Sequence, residues 1–378
     1  MLEALNPITL TQNLIRCPSV TPVDAGALGV LVKALEPLGF DCHLLTYEEK
    51  GEESVPNLFA IRKGEGRHLC FAGHTDVVPV GDASAWKHNP FGAVIEGGYL
   101  YGRGAEDMKG AIACMVAAVA AYQGKGTISF LITGDEEAVA VNGTVKVLPW
   151  MKAKGYVPDA CIVGEPTNPD ALGQTIKIGR RGTLTTKLTV HGTQGHVAYP
   201  DKADNPVPKL VRILHALTSR KLDAGNAHFS PSNLEVTTVD VGNTADNVIP
   251  AKAFAQFNIR FNTEQNAKDL KAWIESVARQ EAEKIDLHFR HSGDAFLTPP
   301  GALSDTLSAV VKEVTGLTPQ LNTLGGTSDA RFIKDYCPVV EFGTTGLTPH
   351  KVNERVAVKD LELLTQVYLR FMERYFKE

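Results

Sequence analysis

Between Arg67 and about Gly164 the chain alternates short, wholly apolar runs with helix-forming segments, and this rhythm constrains the fold more than any other feature. The runs are Leu69-Cys70-Phe71-Ala72, Thr127-Ile128-Ser129-Phe130-Leu131-Ile132 and Ala160-Cys161-Ile162-Val163, with an Ala-rich segment, Lys109 to Tyr122, between the first two. Buried strands alternating with helices predict a mainly parallel sheet covered by helices, and an Ala-rich helix packs closely on such a sheet. Chemistry in open α/β sheets gathers beyond the carboxyl ends of the strands.

After Gly179 the pattern changes. Leu184 to His191 reads as a strand, Asn205 to Arg220 as a helix, Asn233 to Val241 and Lys252 to Phe261 as strands, Glu264 to Lys284 as a helix and Ile285 to His291 as a strand. The order βαββαβ predicts a ferredoxin-like unit over 179–292. From about Gly293 the α/β rhythm resumes, with Pro338 to Phe342 as a strand and Val358 to Phe376 as an amphipathic helix. The first domain, 1–178 and 293–378, is therefore expected to be discontinuous, with the second inserted in it.

Composition bounds the function. A length of 378 residues, 43% of them hydrophobic, supports two domains with substantial cores. The 38 Lys and Arg against 43 Asp and Glu leave a net charge of -5, so no nucleic-acid or anionic-membrane partner is expected. Ala111 to Tyr122, the longest mainly apolar stretch, falls short of the ~20 residues of a membrane span, and the N-terminal sequence lacks a signal-peptide pattern, so a cytoplasmic location is expected. Six cysteines lie far apart with no Cys-x-x-Cys pair. A metal site in this chain has to be built from His and carboxylates.

Such residues stand where the strands end. The first run leads into Gly73-His74-Thr75-Asp76, which places His74 and Asp76 two residues apart on one side of an extended backbone and suits a metal-bound imidazole held by a neighbouring carboxylate. Asp107, the Asp135-Glu136-Glu137 cluster and Glu165 follow His74 at steps of 33, 30 and 28 residues, close to one βαβ unit each. His350, after the late strand, could supply a second imidazole. Two His and three carboxylates make a nitrogen and oxygen site suited to two zinc ions sharing a carboxylate, with cobalt or manganese as lesser occupants, and leave an adjacent acid free to act as base. His196, in Gly195-His196-Val197-Ala198-Tyr199-Pro200, follows the first strand of the inserted unit, where a loop could face the metal cleft.

Together Gly73-His74-Thr75-Asp76-Val77-Val78-Pro79, Tyr101-Gly102-Arg103-Gly104, Asp107-Met108-Lys109-Gly110, Asp135-Glu136-Glu137 and Gly164-Glu165-Pro166-Thr167 resemble the metal motifs of the dinuclear zinc aminoacylase and carboxypeptidase superfamily. Within it, Lys177-Ile178-Gly179-Arg180-Arg181-Gly182, the His196 segment, Asn247-Val248-Ile249-Pro250, Gly325-Gly326-Thr327-Ser328-Asp329-Ala330-Arg331 and His350-Lys351-Val352-Asn353-Glu354 are similar to the bacterial desuccinylase branch.

The resemblance implies a zinc-peptidase-like catalytic domain with an inserted dimerisation and lid domain. It makes His74 and Glu165 terminal ligands of one zinc, Glu137 and His350 those of the other, Asp107 the bridge and Glu136 the general base. Cobalt would be a possible substitute. Asp76 would orient His74, and His196 would reach the partner's active site in a homodimer as an oxyanion donor. Arg180, Tyr199, Asn247, Arg260 and Thr327 match substrate-holding positions, with Asn243 competing with Asn247. The implied reaction hydrolyses N-succinyl-LL-2,6-diaminopimelate, a small-molecule substrate, and the nearest rivals are an acetylornithine deacetylase or an aminoacylase. A metal-free binding homologue is the rival of a different class. Ala138, Thr183 and Gly346 depart from residues common in the family.

Overall fold

The computed structural model describes residues 5–377. The chain divides into two compact units, one taking residues up to Ile178 with Thr298–Asn322 and Ser328 onward, the other Gly179–Leu297 with Thr323–Thr327. The elements that position the site are, along the chain, β1 (Asp41–Tyr47), β2 (Val55–Arg62), β3 (His68–His74), α1 (Gly110–Ala121), β4 (Thr127–Thr133), β5 (Ala160–Val163), β6 (Thr175–Lys177), β7 (Gly182–His191), α2 (Pro206–Ser219), β8 (Asn233–Asp240), β9 (Lys252–Phe261), α3 (Ala267–Glu281), β10 (Ile285–Gly293), β11 (Gln320–Asn322), β12 (Val339–Glu341) and α4 (Val358–Tyr375).

The first unit is built on an eight-stranded sheet in the order β1-β2-β4-β3-β5-β12-β6-β11. Its centre, β4-β3-β5-β12, is parallel throughout, while β1, β2 and the β12–β6 pairing are antiparallel. The mixed, mainly parallel sheet therefore matches the expectation from the apolar runs. Strand β5 is buried at every position and β3 at all but its first residue, as strands covered on both faces must be. Helix α1 is buried along Gly110–Val119, so it has no solvent face, and small side chains let it lie between the sheet and α4. Helix α4 buries a single stripe of Leu361, Leu364, Val367, Tyr368, Phe371, Met372 and Tyr375, the spacing of one helix face. The Tyr368 hydroxyl donates to the Phe342 carbonyl at 2.6 Å, fixing the end of β12.

The second unit is an antiparallel sheet in the order β8-β9-β7-β10, with α2 and α3 packed on it in the sequence βαββαβ. Strand β9 alternates buried and partly exposed residues along its length. Ala255, Phe257 and Ile259 join Leu184, Leu188, Leu210, Ile213 and Ile274 in the core. The opposite face is polar: the Asn258 amide donates to the hydroxyls of Thr183 at 3.1 Å and Thr185 at 2.9 Å.

Where β5 and β12 end side by side, Gly343 passes so close to the neighbouring chain that an added Cβ would lie 2.1 Å from the Gly164 carbonyl oxygen and 2.5 Å from that of Glu165. Main chain cannot yield cheaply there. Gly343→Ala should lower stability by about 1–3 kcal/mol by forcing the ends of β5 and β12 apart. Denaturant unfolding checks it; an unchanged midpoint would show that the two strand ends separate without cost.

Candidate metal and active site

The four central parallel strands release their chains at one sheet edge, and the polar residues met there come from four different loops. His74 is the last residue of β3, Glu136 and Glu137 follow β4, Glu165 follows β5, and His350 lies on the loop after β12. Asp107 precedes α1, behind the left-handed Gly104, and leaves helical geometry at φ -124° and ψ 96°.

His74, 1% exposed, donates from Nδ1 to the Asp76 carbonyl oxygen at 2.9 Å. A carbonyl only accepts, so the neutral ring carries its proton on Nδ1 and presents the Nε2 lone pair. That Nε2 faces Asp107 Oδ1 at 3.2 Å and Glu165 Oε1 at 3.8 Å. On the other side His350 Nε2 lies 2.9 Å from Glu137 Oε1 and 3.4 Å from Asp107 Oδ2. The two Asp107 oxygens thus look toward different imidazoles. Ligand atoms of His74, Asp107 and Glu137 all lie within 4.8 Å of one another, and so do those of His74, Glu136 and Glu165.

The carboxylate of Asp76 was expected to hold the imidazole of His74. Its Oδ1 is 3.6 Å from Nδ1, farther than the residue's own carbonyl, because the carboxylate instead accepts the main-chain N–H groups of Glu136 at 3.3 Å and Glu137 at 3.0 Å. One residue therefore sets the ring through its main chain and the acid pair through its side chain.

Crowding shifts the titrations. Burial opposes charge on His74, but Asp107, Glu136 and Asp76 outweigh it and hold the imidazole pKa well above 6.5. Hydrogen bonds to Asp107 and Glu137 raise His350 to about 10. Burial works against the Asp107 carboxylate, yet His350 and His74 hold it below the usual range, whereas burial and Glu165 push Glu136 well above it. Imidazolium charge offsets the acids, as divalent ions would. Imidazole nitrogen and carboxylate oxygen without thiolate is a donor set suited to zinc or cobalt.

The remaining expected residues lie in the second unit. His196 and Tyr199 are exposed with ring centroids 5.6 Å apart, and Val197 N–H donates to the Asn247 carbonyl at 3.1 Å, so these three residues are brought together. His196 Nδ1 accepts from the Ala198 N–H at 3.1 Å, which leaves Nε2 to carry the proton of the neutral ring. The Asn243 amide donates to the Val248 carbonyl at 2.9 Å, while the Asn247 side chain has no hydrogen-bond partner among the described residues. Arg180 is buried and donates to the Gly326 carbonyl at 3.0 Å, one residue before the half-buried Thr327. Arg260 stands opposite Thr183 and Asn233; burial, then the nearby Arg181, lower its pKa, and no acid pairs with it among the described residues.

Sequence reasoning gave no role to Arg181, or to Glu106, Arg103 and Glu354, whose buried side chains tie the ligand loops together. Each sits inside or beside a motif, but its partners are distant in sequence, and no local pattern signals them.

A parallel sheet edge that collects imidazoles and carboxylates from four loops is arranged to hold divalent metal. The chain belongs to peptidase family M20/M25/M40, whose model matches residues 70–374. That family is metal-dependent. The chain is similar to the succinyl-diaminopimelate desuccinylase of Rhodospirillum centenum (strain ATCC 51521 / SW), 57% identical over 99% of this chain and 98% of that one. It is likewise similar to the succinyl-diaminopimelate desuccinylase of Rhodopseudomonas palustris (strain BisB5), 55% identical over 100% of both chains. Among solved structures, the M20 family metallo-carboxypeptidase Sso-CP2 from Sulfolobus solfataricus shares the fold with a TM-score of 0.80 at 19% identity, over 98% of this chain and 99% of that one. No helix among the described residues is long and apolar enough to cross a membrane.

A metal-ligating imidazole must be neutral, so divalent-ion uptake at these two rings would displace protons from His74 and His350. With both pKa values raised, ion affinity should climb as pH rises through neutrality toward the folded-state pKa values. Calorimetric titration in two buffers of different ionisation enthalpy should report net proton release; none would mean that the rings are already neutral.

Proposed function

We propose that this chain hydrolyses N-succinyl-LL-2,6-diaminopimelate to succinate and LL-2,6-diaminopimelate, a biosynthetic step carried out in the cytoplasm. The observation that carries this reading is identity of 57% with a desuccinylase across essentially the whole of both chains, a span that includes every site residue named above.

We assign one ion to His74 and Glu165, a second to Glu137 and His350, and the bridge to Asp107, with zinc as the metal and cobalt as a substitute. Two such ions would acidify a shared water and polarise the amide carbonyl. Glu136, which the geometry also places beside His74 and Glu165, is assigned to the proton rather than to the metal: it takes the proton from the attacking water and delivers it to the leaving amine. Asp76 keeps Glu136 in place by accepting its main-chain N–H. The oxyanion is stabilised in part by Nε2–H of the partner subunit's His196, in a homodimer formed through the second unit. The tautomer that Ala198 N–H selects supports that role.

The substrate carries three carboxylates, and guanidinium forks suit them. Arg180 and Arg260 are assigned to these groups, with Tyr199, Asn247 and Thr327 as further contacts. The proximity of Arg181 to Arg260, with no acid paired to Arg260 among the described residues, supports an anion at that place.

Steady-state hydrolysis by zinc-loaded protein, with N-acetylornithine and a chelator-treated sample in parallel, tests the reading. Zinc-dependent turnover much faster on the succinylated substrate is expected. Faster turnover of acetylornithine would overturn the specificity while leaving the metal site. Glu136→Ala should lower kcat by at least about 100-fold with both ions still bound; near-normal kcat would remove Glu136 from the base role.

A further inference from the structure

Behind the side chains assigned to the metals lies a set of buried groups that none of the chemistry uses. Glu106, beside Asp107, is fully buried and directs its carboxylate away from the site, into the loop that carries His350. Its Oε1 accepts from Thr345 Oγ1 at 2.6 Å and Leu347 N–H at 3.1 Å, and its Oε2 accepts from both the N–H and the hydroxyl of Thr348 at 2.6 Å. Glu354, four residues after His350 and also fully buried, reaches the opposite way. Its Oε1 accepts the main-chain N–H groups of Glu106 at 3.0 Å and Asp107 at 3.2 Å, and its Oε2 accepts from Arg103 at 2.7 Å. Arg103 also donates to the carbonyls of Pro79 at 3.2 Å, Lys351 at 3.2 Å and His350 at 3.5 Å.

The exchange is reciprocal: the acid next to Asp107 grips the His350 loop, and the acid near His350 grips the Asp107 main chain. His350 itself has φ 62°, a left-handed conformation that a non-glycine residue keeps only where its surroundings impose it. Buried carboxylates are costly unless fully hydrogen-bonded, and here both are engaged through both oxygens.

We infer that Glu106 and Glu354 are positioning residues that set the separation of Asp107 and His350, and so preform the second of the two ion positions. The inference rests on the dinuclear reading above. It predicts an asymmetry: loosening the clasp most weakens the ion assigned to Glu137 and His350, which depends on the placement of both His350 and Asp107, and weakens less the ion assigned to His74 and Glu165, which shares only Asp107 with the clasp.

The test titrates metal-free protein with cobalt(II), following visible absorption and calorimetric stoichiometry, for the unmodified chain, Glu354→Gln and Thr345→Val. Thr345→Val removes one donor to Glu106 from the other half of the clasp with little change of shape, and Thr345→Ser restores it. Each of Glu354→Gln and Thr345→Val is expected to leave one tight ion and weaken the second by roughly 10- to 100-fold, with Thr345→Ser returning to the unmodified value. If Glu354→Gln does not fold, Thr345→Val and its rescue decide the matter alone. Two ions bound with unchanged affinities, or both weakened equally, would overturn the clasp. An unmodified chain that takes up fewer than two ions would overturn the dinuclear reading, and the clasp with it.

Discussion

The Asp107 carboxylate, with one oxygen 3.2 Å from His74 and the other 3.4 Å from His350, is the contact on which the site depends. A carboxylate shared between two imidazoles, with Glu165 beyond one and Glu137 beyond the other, collects too many like charges to be stable in isolation. The same crowding raises the pKa of both imidazoles, so positive charge on the rings offsets it. Divalent ions would answer the same demand, and under the proposed reading a cluster that looks costly as a set of side chains is coherent as a pair of metal positions.

The rest of the first unit can be read as the means of holding that cluster. Strands β3, β4, β5 and β12 are parallel, so their loops leave one edge, and each brings one or two of the polar groups. Strand ends are rigid and loops are not, and the loops here are fixed by buried polar bonds: Asp76 to the Glu136–Glu137 main chain, Glu106 to the His350 loop, Glu354 and Arg103 back to the Asp107 segment. The apolar layer formed by α1 and α4 behind the sheet removes freedom from the other side, through Tyr368 on the β12 end.

What the amino-acid order reveals follows from the range of each interaction. Strands β3, β4 and β5 were legible because full burial makes them continuously apolar, and the residues that meet at the sheet edge were legible because most of them follow such runs. Strand β1, by contrast, is an edge strand with mixed exposure and carries no apolar run to announce it. The clasp partners are more than 230 residues apart in sequence, and a buried Glu looks like a surface Glu until its donors are seen. Adjacent arginines are equally ambiguous: Arg180 is committed to the Gly326 carbonyl while Arg181 stands by Arg260, a distinction that only the strand geometry makes.

Anomalous diffraction at the zinc edge, from crystals grown with zinc, locates the ions relative to Asp107. A bridging Asp107 gives two peaks flanking its carboxylate, one against His74 and Glu165, the other against Glu137 and His350, with Glu136 touching neither ion directly. A single peak, or an ion ligated by Glu136 together with His74 and Glu165, would contradict it.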